Sequence, residues 1–282
     1  TLIEEQEAVK ELGDNDDFVI DIETYGKMIK KPKFVEKTVC HLSTWIEPDS
    51  YSNLNFAHKE KLYSKNKGSV IWNGSACGID LNKFDCSRFD VYRKEIREKL
   101  NINEKEFVFG FVGRITRDKG INELLSASKK MIDERTDVTV IEELDNTINY
   151  ELYDWSKKCS KIIYCGRTNE VEKYLSAMDC YILPSYREGF GMGTIEAEAM
   201  GVPVIVTDIP GPIDAMKKDE TGYIVKKADE RSLYEAMNKM YVNTEERMKF
   251  KNNCVDFVKE NFEQNQLFSY IKKDRERLLK KR

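Results

Sequence analysis

Between residues 107 and 225 the chain alternates short apolar runs with amphipathic stretches. Continuous apolar runs are typical of parallel strands that are covered on both faces, and they occur at residues 107–112, 138–141, 162–164, 180–183, 202–206 and 223–225. Apolar positions at helical spacing occur at residues 121–132, 171–178 and 196–200. This alternation predicts an α/β fold with a Rossmann-like, doubly wound parallel sheet.

The C-terminal part of the chain is predicted to be helical. Leu233 and Met237 belong to one apolar helix face, and two more helices are expected at residues 247–262 and 264–279. Residues 272–282 carry seven basic and two acidic side chains. A solvated helix end, favoured by its own dipole, is expected there, and contact with a membrane surface is the alternative.

Residues 1–70 show no comparable alternation of predicted strands and helices. A helix at residues 4–12 and a strand at residues 18–20 are expected, followed by a basic stretch at residues 27–37. The sequence of this part has no glycine-rich turn and no strand–helix–strand pattern. Because the first residue, Thr1, is not a methionine, we expect a processed or truncated product.

Composition narrows the class of protein and of partner. Of the 282 residues, 40 % are hydrophobic and 34 % are charged, which allows a core with a well-solvated surface. The net charge of −4 gives no general reason to expect a nucleic acid as partner. Seven cysteines without a Cys-x-x-Cys pair and only two histidines argue against a disulfide framework and a zinc site. Because no signal peptide and no apolar run of about 18 residues is seen, a cytoplasmic location is expected.

The most informative chemistry lies in residues 188–196, with the sequence Glu-Gly-Phe-Gly-Met-Gly-Thr-Ile-Glu, between a predicted strand and a predicted helix. Backbone N–H groups at a helix N-terminus are unpaired, and the helix dipole there favours a phosphate. The glycines allow a ligand to approach the backbone closely. The carboxylates of Glu188 and Glu196 can accept hydrogen bonds from vicinal hydroxyls, which both ribose and a hexose offer. The segment therefore predicts a site for a sugar nucleotide.

Four motifs in order resemble the retaining glycosyltransferases of family 4, which have the GT-B architecture of two facing Rossmann-like domains. The motifs are Trp72–Phe84, Gly113–Gly120, the pair Glu188 and Glu196, and residues 209–216 together with 221–223. The last motif is most similar to bacterial transferases of capsule and lipopolysaccharide assembly. The resemblance covers residues 70–282.

The resemblance implies a diphosphate site around Gly113, Arg114 and Lys119. In the family, the last two positions hold the diphosphate and stabilise it as it leaves. A guanidinium and an ammonium suit this double anion without a metal, so no cofactor and no metal are expected. Arg117, between them, is expected to face solvent. A UDP-sugar is the expected donor, and a GDP-sugar is the alternative.

The resemblance also implies where the sugar and the nucleoside bind. Glu188 would contact hydroxyls of the transferred sugar, and Glu196 would accept hydrogen bonds from the ribose. The remaining contacts of this segment would come from Phe190, Gly191, Met192, Gly193 and Thr194. Arg167 and Thr168 lie in the loop where relatives hold the base. A carboxylate pair for glycoside hydrolysis was the competing interpretation, but a glutamate bound to ribose would be too far from the anomeric carbon.

The N-terminal part departs from the family pattern. A full member carries an acceptor domain of comparable size, whereas about 70 residues precede the linker here, too few for a complete Rossmann half. Neither His41 nor His58 matches the family histidine near the transferred sugar. The prediction is a truncated or remodelled acceptor-side segment, a donor domain and a C-terminal basic helix, at residues 1–70, 71–262 and 263–282.

The predicted function is transfer of a hexosyl or N-acetylhexosaminyl group, with retention, from a nucleoside-diphosphate sugar to a glycan or lipid-linked acceptor in cell-surface polysaccharide biosynthesis. The chain could be a truncated transferase, could pair with a separate acceptor-domain subunit, or could use a reduced acceptor site. A non-catalytic nucleotide-sugar-binding module is the alternative from another class. An epimerase of the same architecture is a third interpretation. Peripheral contact with the inner face of the membrane is the alternative to a purely cytoplasmic location.

Overall fold

The structure is a computed structural model that describes most of the chain. The described residues are 32–114, 116–135, 138–142 and 150–280. The helix and the strand expected at residues 4–12 and 18–20 lie outside them. Within the described residues, no helix is both long enough and apolar enough to cross a membrane.

Contacts divide the chain into two compact units. One unit comprises Thr1–Glu47 and Asn55–Ser69, and the other comprises Pro48–Leu54 and Val70–Arg282. A short segment therefore belongs to the larger unit although its flanking residues belong to the smaller one. The division into residues 1–70, 71–262 and 263–282 stays a prediction.

The smaller unit contains a helix that the hydrophobic pattern did not reveal. Helix α1 spans Pro32–Leu42, and helix α2, Tyr51–Lys59, begins in the larger unit and ends in the smaller one. Ile46 bridges to the backbone near Gly68, because its N–H donates to the carbonyl of Lys67 at 3.0 Å. These local contacts organise the described part of the smaller unit.

The larger unit is built on the predicted parallel sheet, so the predicted fold class is confirmed. Its six strands are β1 (Phe107–Gly110), β2 (Val138–Glu142), β3 (Ile162–Tyr164), β4 (Cys180–Leu183), β5 (Val204–Thr207) and β6 (Gly222–Val225). The strand order is β3-β2-β1-β4-β5-β6, and every pairing is parallel. The order reverses direction between β1 and β4, and ligands of such sheets bind at the carboxyl ends of the strands next to this point.

Helices cover both faces of the sheet and exclude water from the strands. The helices that follow α2 in the larger unit are α3 (Phe89–Lys99), α4 (Ile121–Glu134), α5 (Tyr150–Lys158), α6 (Val171–Ala177), α7 (Met192–Ala199), α8 (Glu230–Val242), α9 (Thr244–Phe262) and α10 (Gln264–Leu279). Val108, Phe109, Ile182 and Ile205 in the central strands are fully buried. These apolar side chains form the core because both sheet faces are covered.

A buried charge cluster fixes the start of β1 against α3. The guanidinium of Arg97, which is fully buried, lies 2.8 Å from Asp179, and Arg93 lies 2.7 Å from the same carboxylate. The N–H of Val108 donates to Asp179 at 2.8 Å. The cluster therefore ties the N-terminal ends of β1 and β4 to α3, at the edge of the sheet opposite the ligand-binding edge.

Candidate functional site

A cavity of about 320 Å³ lies where β1 and β4 end, at the reversal of the strand order. Its lining includes Phe111 and Val112 after β1, and Tyr181 and Leu183 from β4. Seven of the residues predicted for the site also line it: Gly113, Lys119, Glu188, Phe190, Gly191, Met192 and Gly193. The fold thus brings the Gly113–Gly120 motif and the start of the Glu188–Glu196 motif into one cavity.

The charged centre of this cavity is an ion pair between Lys119 and Glu188. The Nζ atom of Lys119 lies 2.6 Å from Oε1 of Glu188, and the two side chains are only 17 % and 13 % exposed. The hydroxyl of Ser185 donates to the same carboxylate oxygen at 2.7 Å. The ammonium and the carboxylate are therefore held together at a site that is largely shielded from water.

The loops after β1 and β4 position this pair because they are joined to each other. The backbone N–H of Tyr186 donates to the carbonyl of Asp118 at 2.7 Å, which fixes the turn Arg117–Lys119 against the second loop. Gly120 closes the turn with a φ of 72°, and a Cβ atom there would lie 2.0 Å from the carbonyl oxygen of Pro184. Only glycine allows this close approach, so Gly120 sets the direction in which Lys119 leaves the turn.

The start of α7 forms another part of the cavity wall. Gly191 precedes the helix with a φ of 92° and provides no side-chain cap, and Met192 and Gly193 begin the first turn. No acidic side chain lies in that first turn. The partial positive charge of the helix N-terminus is therefore available to an anion in the cavity.

Glu196 lies one turn further along α7 and does not line this cavity. Burial raises the pKa of its carboxyl group, while Lys83 lowers it and Glu172 raises it. Thr194, on the same helix, is fully buried, and its hydroxyl has no hydrogen-bond partner among the described residues. Glu196 and Thr194 therefore lie on α7 outside the cavity that Lys119 lines.

Three other predicted residues also lie outside the cavity lining. Arg114 follows Gly113 directly and its side chain is exposed. Arg167 is exposed in the loop after β3, and the hydroxyl of Thr168 accepts a hydrogen bond from the N–H of Glu170 at 3.0 Å. These residues lie at the same carboxyl edge of the sheet, after β1 and after β3.

Asp49 lines the cavity but has no sequence signal that singles it out. It belongs to the segment 48–54, which is fixed to the site by Ser52: the N–H of Ser52 donates to Asp214 at 2.7 Å, and the hydroxyl of Ser52 accepts from the N–H of Gly211 at 2.8 Å. Burial raises the pKa of the Asp49 carboxyl group. A second acidic side chain therefore borders the cavity, contributed by a segment far away in the sequence.

A comparison with protein families decides the classification. Residues 92–255 match the glycosyl transferases group 1 family, and this segment is more than half of the chain. The chain belongs to the glycosyl transferases group 1 family. The matched segment contains both loops that hold the Lys119–Glu188 pair, so the predicted resemblance to glycosyltransferases is confirmed.

Two curated relatives show how much of a group 1 glycosyltransferase this chain represents. CapM, the capsular polysaccharide biosynthesis glycosyltransferase of Staphylococcus aureus, is 32 % identical over 210 residues, which are 73 % of this chain and 54 % of CapM. The Escherichia coli UDP-Gal:alpha-D-GlcNAc-diphosphoundecaprenol alpha-1,3-galactosyltransferase is 30 % identical over 186 residues, 64 % of this chain and 46 % of that enzyme. The chain spans about half the length of these relatives.

A solved structure shares the group 1 fold. The crystal structure of Anabaena HepE in complex with UDP-glucose superimposes with a TM-score of 0.72 over 86 % of this chain and 69 % of that chain. The two sequences are 17 % identical, so this likeness shows the fold.

Proposed function

We propose that this chain is the donor-binding part of a retaining glycosyltransferase of cell-surface polysaccharide biosynthesis. It would transfer a hexosyl or N-acetylhexosaminyl group from a nucleoside-diphosphate sugar to a glycan or lipid-linked acceptor. The observation that carries the proposal is the Lys119–Glu188 ion pair in a cavity that also contains the uncapped start of α7. The relatives support it, because one is named for capsular polysaccharide and the other for a diphosphoundecaprenol-linked acceptor.

The ion pair offers a partner for the diphosphate of the donor. A diphosphate carries more negative charge than a single carboxylate, so it is expected to draw the ammonium of Lys119 away from Glu188. The start of α7 adds a partial positive charge on the same cavity wall. Arg114 is proposed to fold over the diphosphate from its exposed position. Together these groups would stabilise the negative charge that develops on the leaving group.

Glu188 is proposed to bind the transferred sugar once Lys119 has turned to the diphosphate. Its carboxylate would then accept hydrogen bonds from sugar hydroxyls, while the hydroxyl of Ser185 keeps the carboxylate oriented. The acceptor hydroxyl would attack the anomeric carbon from the face that the leaving group vacates, which gives retention. No metal is part of this proposal, because Lys119 and α7 supply the positive charge.

The nucleoside is proposed to extend along α7 and towards the loop after β3. Glu196 would accept hydrogen bonds from the ribose hydroxyls, and Arg167 and Thr168 would contact the base. A UDP-sugar is the proposed donor because HepE, which shares the fold, is in complex with UDP-glucose. A GDP-sugar is the alternative.

The acceptor side is proposed to be completed by a further domain or by a partner subunit. This is supported by the share of the relatives that the chain covers, 54 % of CapM and 46 % of the Escherichia coli enzyme. The proposed place of action is the cytoplasm, with peripheral contact at the inner face of the membrane, where a lipid-linked acceptor would be found.

Calorimetric titration with UDP, GDP and UDP-glucose tests the nucleotide part of the proposal. The purified chain is expected to bind one of the nucleoside diphosphates, and Lys119→Ala is expected to weaken this binding about tenfold or more, since a charge-assisted contact is lost. Lys105→Ala removes an exposed ammonium outside the cavity and is expected to bind like the wild type. Absence of binding, or equal affinity of Lys119→Ala, would contradict the proposal.

Mass spectrometry of incubations with UDP-sugars separates an enzyme from a binding module. Sugar transfer or slow donor hydrolysis by the chain would identify an enzyme, and Lys119→Ala should then reduce the rate on the order of 10²-fold. Tight donor binding without turnover would favour the alternative, a non-catalytic nucleotide-sugar-binding module that completes a partner.

A further inference from the structure

A second, more open cavity lies at the same edge of the sheet. Its volume is about 670 Å³, and it is lined by Thr116, Arg117, Asp118, Tyr186, Arg187 and Lys227. These residues follow strands β1, β4 and β6, so the cavity lies at the carboxyl ends of strands, where ligands of this type of sheet bind. None of its residues belongs to the predicted donor site.

The two cavities are lined by neighbouring residues of the same two loops. The turn Arg117–Lys119 contributes Lys119 to the first cavity and Arg117 to the second. The loop after β4 contributes Glu188 to the first cavity and Arg187 to the second. A ligand in the second cavity would therefore contact the same two loops that carry the groups proposed to hold the diphosphate and the transferred sugar.

The walls of the second cavity are ordered by their own hydrogen bonds. The hydroxyl of Thr116 donates to the carboxylate of Asp118, and the N–H of Tyr186 donates to the Asp118 carbonyl at 2.7 Å. The phenol of Tyr186 donates to Glu123 in the first turn of α4. Burial raises the pKa of Tyr186 to about 12, so the phenol keeps its proton and this bond persists at neutral pH. The backbone that carries Arg117 and Arg187 is thus fixed before a ligand binds.

The charges of the second cavity are unbalanced. Arg117, Arg187 and Lys227 are exposed cations, and no carboxylate of the described residues forms an ion pair with them. Asp118 is the only acidic residue in the lining, and its carboxylate is already bonded to Thr116. Two guanidinium groups and one ammonium can bind an oxyanion with several negative charges, because guanidinium binds phosphate oxygens in a bidentate manner.

We propose that Arg117, Arg187 and Lys227 bind a phosphate or diphosphate group carried by the acceptor. The proposal rests on the proposed function, since it is the neighbouring sugar site that makes an acceptor the ligand expected here. Binding the acceptor through its phosphate would place its free hydroxyls near Glu188. The phosphate could belong to a soluble glycosyl phosphate or to a lipid headgroup, and both have the same chemistry at this site.

The variants Arg187→Ser and Lys227→Ser test the proposal, with Lys226→Ser as the matched control. Lys226 is an exposed neighbour of Lys227 that does not line the cavity. The first measurement titrates inorganic diphosphate into the full chain with UDP at saturating concentration, so that the first cavity is occupied. The second measures sedimentation with vesicles of phosphatidylcholine that contain phosphatidylglycerol. Each cavity variant is expected to bind at least roughly tenfold more weakly than the wild type and than Lys226→Ser.

The two measurements distinguish the source of the phosphate. Loss with soluble diphosphate alone points to a glycosyl phosphate, and loss with the vesicles alone points to a lipid headgroup. Equal binding by cavity variants and control in both measurements, or no binding by the wild type in either, would overturn the proposal. A titration with UDP alone measures binding at the donor site, so a failure of the proposed function can be distinguished from a failure of the acceptor-phosphate proposal. Arg187→Ser and Lys227→Ser should bind UDP like the wild type. If the wild type binds no UDP, the proposed donor site is refuted. The diphosphate titration is then run without UDP and still measures binding at the second cavity.

Discussion

At the scale of single residues, a substitution of Glu188 is expected to separate sugar binding from nucleotide binding. Glu188→Gln keeps the shape of the side chain and removes the charge that holds Lys119 at 2.6 Å. The freed ammonium should bind UDP at least as tightly as in the wild type. Affinity for UDP-glucose should fall about tenfold relative to UDP, because an amide accepts hydrogen bonds from sugar hydroxyls less strongly than a carboxylate does.

Titration of the wild type and of Glu188→Gln with both ligands checks this prediction. Glu235→Gln, which neutralises an exposed glutamate on α8 beside Arg231, serves as the control and should leave both affinities unchanged. A parallel loss of affinity for UDP and UDP-glucose would mean that Glu188 only orients Lys119 and does not contact the sugar.

The residues of the site differ in how far the sequence reveals them. Lys119 and Glu188 lie in motifs whose glycines and charges are visible in one short stretch each, so their proximity could be predicted. Asp49 could not be predicted, because its segment is held at the cavity by hydrogen bonds of Ser52 with residues about 160 positions away. Arg117 was expected to face solvent and is exposed, but its place in a second cavity depends on a loop brought alongside by the sheet.

At the scale of elements, α7 combines groups that are proposed to bind the donor with a buried acid. Glu198 is fully buried, and burial raises its pKa well above the ordinary value. The folded state therefore keeps the proton to a higher pH than the unfolded chain, which releases it near pH 4.3, roughly the pKa of an unperturbed glutamate. Because the native state binds more protons than the unfolded state, stability falls as the pH rises above that value. Glu198→Gln, which cannot ionise, should melt at a higher temperature than the wild type at pH 8 and at a similar one near pH 4.5.

Melting curves of both proteins between these pH values check the prediction. Glu220→Gln changes an exposed carboxylate that pairs with Lys217, so its melting temperature should differ from that of the wild type by the same small amount at each pH. If Glu198→Gln instead shows a constant difference across the range, the carboxyl group ionises in the folded state at the same pH as in the unfolded chain, and its burial has no influence on the pH dependence.

The elements themselves show where a hydrophobic pattern is sufficient. All six strands were predicted because most of their side chains are apolar, although β1 ends at Gly110 and residues 111 and 112 leave the sheet to line the cavity. Helix α3 was missed. One of its buried positions is Arg97, whose partner Asp179 lies on another element, so the helix has no clear apolar face in the sequence. Because a charged residue occupies a buried position, the helical pattern of apolar residues is incomplete. A leucine at position 97 would have made the pattern visible in the sequence.

At the scale of the whole molecule, the segment 48–54 determines where the larger unit begins. It is separated from residue 70 by the smaller unit's second segment, yet its contacts place it with the sheet. Ser52 joins it to Gly211 and Asp214, in the loop after β5, and Asn53 donates to the carbonyl of Gly189. A donor unit cut at residue 70 would therefore lack one wall of its cavity.

A fragment of residues 70–282 is accordingly expected to be less stable than the full chain and to bind UDP-glucose more weakly. Loss of the two hydrogen bonds of Ser52 leaves the N–H of Gly211 and the carboxylate of Asp214 without these partners, at a cost of about 1 kcal/mol each. Calorimetric melting and UDP-glucose titration of both proteins measure the two effects. Asp49→Ala in the full chain separates them, since Ser52 keeps its bonds while the cavity loses a carboxylate that can accept hydrogen bonds from sugar hydroxyls. Its affinity for UDP-glucose should fall, whereas its melting temperature should not fall as that of the fragment does. A fragment that melts and binds like the full chain would show that the sheet and its loops hold the cavity without the segment 48–54.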